Sequence, residues 1–252
     1  MLEGLGKINW DKIRHRNGTA SNIPKLLLQL VSKDKNAQKN AIVQLFNDLW
    51  FHGMVYEATS RAVPSLYEIL ESPVCSERFS VLWLLSAIAS GNFRQNDLQE
   101  DHPEMIWNRN AIQAVQQGLP KVLGLLSDSD KDLRLPAVLL LVSLRDEAAQ
   151  IRPVLLTALS KEVNPSVRAG LALALAMLGD YRVEAFDLSV QKPTVGLANS
   201  LAKACSVNKK MSGFSFKTIE ECFAESLNPQ NQDWLREERI LLNSSNFDGS
   251  YF

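Results

Sequence analysis

The side chains able to do chemistry are few and spaced so that none can work with another. His15, His52 and His102 lie far apart in the sequence and none is followed by glutamate, so no metal-ligand set at helical spacing is present. Cys75, Cys205 and Cys222 are an odd, scattered set, which fits a reducing compartment and small core residues better than a disulfide framework. Gly4-Leu5-Gly6-Lys7 ends like a phosphate-binding loop, but that loop needs a glycine at the position of Met1, so it reads as a turn. Gly213-Phe214-Ser215-Phe216 starts like a nucleophile elbow and fails at Lys217, where glycine is required. Asp128-Ser129-Asp130-Lys131-Asp132 opens like a calcium loop, yet Leu133 and Leu139 stand where that loop needs glycine and glutamate. Its aspartates are expected to cap the next helix instead.

The elements that hold these residues follow from internal repetition. Four segments align: Pro24-KLLLQLV, Pro64-SLYEILE, Pro120-KVLGLLS and Pro153-VLLTALS, each a proline followed by a leucine-rich helix. After each comes a polar break and a second apolar helix, so that the unit is a two-helix hairpin with an apolar face it cannot bury alone. From each proline to the polar residue anchoring the second helix the separation is 14 (Gln38), 14 (Arg78), 14 (Arg134) and 15 (Arg168) residues. The proline spacings are 40, 56 and 33, a two-helix repeat with one insertion. Each proline fits either a helix start or a kink in a helix begun upstream, and the kink is favoured for Pro64 and Pro120. Apolar spacing is helical throughout, so an all-α fold with essentially no strand is expected.

A proline in the first helix, a short Asp/Asn/Pro turn, then Val-Arg or Leu-Arg and an Ala/Leu-rich second helix ending near Gly179 resembles HEAT repeats. The stretch from Trp50 to Leu70, WFHGMVYEATSRAVPSLYEIL, is similar to a bacterial group of HEAT-like proteins of largely unassigned function. The resemblance covers roughly residues 20–205, with Gln38 in repeat one where later repeats have arginine. It implies a right-handed α-α superhelix of the armadillo type, one domain over 1–252, used as a scaffold that presents an extended groove to a partner protein. It specifies fold more strongly than function. HEAT-like iron enzymes use repeated His-Glu pairs that this chain lacks. HEAT-like DNA glycosylases need a basic concave face, whereas residues 120–187 carry 8 basic and 9 acidic side chains. A bilin-lyase-like enzyme or chaperone is the alternative reading, and a weak nucleic-acid binder a third.

With 27 Lys and Arg against 28 Asp and Glu, no global field draws the chain to nucleic acid or an anionic membrane. Residues 1–63 are mildly basic, with 9 cationic and 5 anionic side chains, beside an acidic stretch, 64–119, with 3 and 7. The longest apolar runs are too short to span a bilayer, and a cytoplasmic protein without a cofactor is expected. Arg78, Arg134 and Arg168 are expected to pair with turn acids and carbonyls of neighbouring repeats rather than to form a ligand-binding ladder. Trp83 is expected in the core.

Residues 91–107 lack helical periodicity and are read as an insertion loop, and from about 206 a less regular cap is expected: helices at 216–227 and 230–243 and a frayed tail. Insertions in such arrays fall in loops on one face, often the binding face. The candidate partner surface is therefore Trp50, His52 and Tyr56 on one side and Asn92, Phe93, Arg94, Trp107 and Arg109 on the other. The competing reading packs Phe93 and Trp107 inward to cover a gap between repeats.

Overall fold

The computed structural model describes residues 2–51, 53–90, 99 and 101–178. They are mostly helical. The expected helices between Thr194 and Asn243 lie outside the described residues. The chain divides into two compact units, Met1–Lys121 and Val122–Phe252. Among the described residues no helix is long and apolar enough to cross a membrane.

In the first unit, α1 (Ile23–Gln29) and α2 (Lys35–Leu49) form one hairpin, α3 (Glu57–Leu70) and α4 (Arg78–Ala89) the next, and α5 (Pro103–Gln117) follows. Here α1 packs on α3 and α3 on α5, while α2 packs on α4. First helices thus lie on first helices and second on second, the arrangement by which amphipathic hairpins cover one another's apolar faces. Every residue of α4 from Phe79 to Ala89 is buried, Trp83 included, as for a helix enclosed on all sides. In the second unit α7 (Lys131–Ser143) packs on α9 (Pro165–Met177), and α8 (Ala148–Lys161) forms a hairpin with α9. The unit boundary falls within α6 (Leu119–Leu125).

The prolines take both roles. Pro24 and Pro120 occupy the second position of α1 and α6, where the missing N–H removes no intrahelical bond. Pro64 and Pro153 stand inside α3 and α8, in helices begun upstream. At Pro120 the expected kinked helix is instead interrupted: α5 ends at Gln117 and α6 starts at Leu119. Gly118 between them lies under the Tyr67 ring, whose hydroxyl donates to Val115 O at 2.8 Å. Burial pushes the Tyr67 phenol well above its ordinary value.

The recurrent polar anchors stitch the turns. Gln38 Nε2 donates to Ser32 O (2.7 Å), Arg78 Nε to Leu70 O (2.8 Å), Arg134 Nη1 to Asp128 O (2.8 Å), and Arg168 Nη1 to Leu159 O (3.0 Å) and Glu162 O (2.8 Å). These carbonyls lie at or just beyond first-helix ends, where acceptors lack intrahelical partners. Two anchors also reach the next repeat. Gln38 donates to Val74 O at 3.0 Å and accepts from Ser76 N and Oγ at 2.7 and 2.8 Å. Arg134 grips both Glu162 oxygens, at 2.8 Å through Nε and 3.0 Å through Nη2. The glutamine that departs from the repeat pattern therefore does an arginine's work. Buried to 1% exposure, it leaves several groups unsatisfied if truncated. Gln38→Ala is expected to lower stability by about 2 kcal/mol, measured by urea unfolding; a change within error would show that water replaces these bonds.

Of the aspartates expected to cap the helix after the acidic turn, Asp130 does so, and Asp34, for which no cap was expected, caps α2 in the same way. Asp34 Oδ1 accepts from Asn36 N (2.9 Å) and Ala37 N (3.2 Å) at the start of α2, and Asp130 Oδ1 accepts from Asp132 N (2.9 Å) at the start of α7.

Strand is not absent. Two short antiparallel hairpins occur: β1 (Arg14–His15) with β2 (Gly18–Thr19), and β3 (Trp50–Phe51) with β4 (Met54–Val55). Two-residue strands carry no alternation long enough to show against helical periodicity, whereas their turns need positive φ, supplied by Gly18 (133°) and Gly53 (82°).

Candidate functional site

The β3–β4 hairpin stands between α2 and α3. Thr59, fully buried, donates from Oγ1 to Leu49 O (2.6 Å) and accepts from Tyr56 N (2.9 Å), which fixes the hairpin's base to both helices. Cross-strand partners share a face: Trp50 with Val55, Phe51 with Met54. Trp50 meets Phe46 of α2 edge to face, with ring centroids 6.4 Å apart. Its Nε1 is buried with no acceptor among the described residues. The opposite face carries Phe51 and Met54, and the extended backbone at Tyr56 returns that side chain to the same side.

Over this face lies the first hairpin. The Arg16 guanidinium sits 3.1 Å from the Phe51 ring centroid. The turn that presents it is held by Asp48, a buried carboxylate near the end of α2. Asp48 accepts from Asn17 Nδ2 and Asn22 Nδ2, each at 2.8 Å, and its carbonyl accepts from Arg16 N at 3.3 Å. His15 Nδ1 accepts the Asn17 N–H at 3.0 Å and lies 3.5 Å from Asp48 Oδ1. Of these two contacts the Asn17 bond has the better length, so the imidazole is an internal acceptor that shapes the turn.

The second side is α5. Its start is fixed by His102, whose Nδ1 accepts from Glu104 N at 3.3 Å, and by Pro103 at the first position. The segment 103–107 is therefore helical, where the sequence reading placed insertion loop. The polar run before it, residues 91–102, hides the start of the helix, though Pro followed by Glu is itself a start signal. Asn108, Ala111 and Val115 form the inward stripe, and β4 packs on this helix. Burial holds the Tyr56 phenol above its ordinary value; the Arg16 charge acts against that, and the Glu104 charge acts with it. Tyr56 thus lies within electrostatic reach of both the first hairpin and α5.

The structure brings Trp50, Tyr56, Trp107 and Arg109 into one unit, with β4 of the hairpin against α5. Trp50, Tyr56 and Trp107 are half-buried and Arg109 is exposed. Trp107 and Arg109 flank Asn108 on opposite sides of the inward stripe, so they do not form one patch; Ile106, one turn before Arg109, is exposed beside it. His52, Asn92, Phe93 and Arg94 lie outside the described residues. Sequence reasoning missed Arg16, Phe51, Glu104 and Ile106. The pair Asn17-Gly18 is a hairpin signal that marks where Arg16 is presented.

Arg134, within the other unit, is engaged by Glu162 and by carbonyls, with its side chain 15% exposed. Burial pushes the Cys75 thiol up to about 11, which holds it as the inert thiol of a core residue. Comparison of the chain with protein-family models, curated proteins and solved structures gives no match in any of the three.

Proposed function

We propose that this chain is a HEAT-like repeat protein of the α-α superhelix type, working in the cytoplasm as a non-catalytic binder of a partner protein. The observation that carries this reading is the packing of first helices on first and second on second in the first unit, with the α7–α9 pair of second helices repeating it in the other. The proposed partner surface is the β3–β4 hairpin with the start of α5. Two elements meet there, and aromatic and arginine side chains, the types that dominate interface energetics, stand half-buried or exposed on them.

Ile106→Glu and Arg109→Glu change exposed residues and are expected to leave thermal melting unchanged. Each is expected to reduce capture of the native partner from a cell extract by about tenfold, as read by quantitative mass spectrometry. The control Val163→Glu, at an 87% exposed turn residue of the second unit, is expected to capture as the natural protein does. Unchanged capture by both α5 variants would remove the surface from consideration.

A further inference from the structure

We propose that Arg16 is a carboxylate-binding fork, and that the ligand of the hairpin and α5 surface is an acidic peptide segment whose Asp or Glu side chain it grips. This rests on the binding surface proposed above and adds the chemistry of the partner. Arg16 is exposed, and its guanidinium lies against the Phe51 ring. Ring contact occupies a guanidinium's face and leaves its five N–H donors directed outward in the plane of the group. Among the described residues no hydrogen bond or ion pair engages those donors. The backbone beneath is held by Asp48, Asn17 and Asn22, so the side chain starts from a fixed point. A stacked, pre-positioned fork matches the two oxygens of a carboxylate and loses little freedom on binding it.

Tyr56 is the second group. Its phenol stays protonated and therefore able to donate, and it lies within electrostatic reach of Arg16. The surroundings select a single carboxylate over a phosphate polymer. Glu104 acts on the same Tyr56, and Glu57 accepts the Arg14 N–H at 3.2 Å; these anions repel a polyanion that needs several cations in line. One carboxylate with apolar neighbours meets Arg16 and leaves exposed Ile106 and half-buried Trp107 on α5 for aliphatic or aromatic contact.

The test uses the full chain and immobilised pools of ten-residue peptides, randomised except for one central residue fixed as Glu, Gln, phosphoserine or Lys. The Glu pool is expected to bind about tenfold above the Gln pool. Arg16→Gln and Arg16→Lys are expected to abolish that preference with unchanged melting, because lysine offers charge without the planar fork. Phe51→Leu, which keeps the guanidinium and removes its platform, is expected to reduce the preference several-fold. Equal binding of Glu and Gln pools, no binding by any pool, a phosphoserine pool that outbinds Glu, or a Glu preference that survives Arg16→Gln would each overturn the proposal. The native-partner capture separates the two claims. Capture lost in Ile106→Glu without a Glu preference keeps the surface and removes the carboxylate. A Glu preference at Arg16 with intact capture keeps the fork and removes the surface.

Discussion

Replacing Gly118 by alanine is expected to destabilise the first unit by about 3 kcal/mol or more, the sum of overpacking and a lost buried hydrogen bond. A Cβ at this position would fall far inside van der Waals contact of both Cε2 and Cζ of Tyr67. The backbone does not cause the strain: φ −86° and ψ 0° suit any residue. The cost arises because the Tyr67 ring, 4% exposed, must leave its place and with it the hydroxyl bond to Val115 O. Tyr67 connects α3 to the end of α5, so its displacement loosens the packing of the helix that carries the proposed surface. Chemical denaturation of Gly118→Ala, Tyr67→Leu and the double variant reads this directly. A smaller residue at 67 makes room for the Cβ, so the double variant is expected to be more stable than the two single losses predict. Full additivity would show that the tyrosine is not what excludes a side chain from position 118.

Arg134→Ala is expected to cost about 3 kcal/mol, the low end of the range for removing one partner of a bidentate ion pair, because this pair is only partly buried. The Glu162 side chain is 7% exposed, and both of its oxygens accept from Arg134. Without the arginine that carboxylate keeps, among the described residues, the Asn164 N–H at 2.8 Å, and the Asp128 carbonyl loses the Arg134 bond. Glu162→Gln is expected to cost less, since an amide keeps one acceptor for the guanidinium and sheds the buried charge. Differential scanning calorimetry of both variants, beside capture of the native partner, separates structure from recognition. Unchanged melting with lost capture would make Arg134 a ligand contact, as in an arginine ladder, and end its assignment as a fastener between repeats.

The helical hairpins and their anchors were legible in the sequence because both depend on local periodicity. The 14-residue register from proline to anchor marks where a polar side chain must reach back to the carbonyls near a first-helix end, and Gln38, Arg134 and Arg168 do so with different chemistry. The helical start of α5 was signalled by His102-Pro103-Glu104, but the polar run of residues 91–102 before it outweighed that signal. The candidate site was legible only in outline. The hairpin at Trp50 and the helix carrying Trp107 do share a unit, whereas Arg16 on Phe51 joins residues distant in sequence through a tertiary contact that no spacing announces. Asp48 was invisible for a related reason. A carboxylate near the end of a helix reads as solvated until the Asn17 and Asn22 amides are seen to enclose it.

The reach of Gln38 and Arg134 into the following hairpin bears on how the chain folds as it is made. Gln38 meets Val74 and Ser76, 36 and 38 residues downstream, and Arg134 meets Glu162, 28 residues downstream. A newly synthesised hairpin therefore leaves the ribosome with its fastening incomplete and closes it only when the next one emerges. Contacts between successive hairpins favour sequential growth from the first hairpin onward. The hairpins of Gln38 and Arg134 are in effect templates whose last bonds are written by their successors, and a pause in translation after either would strand it with open donors.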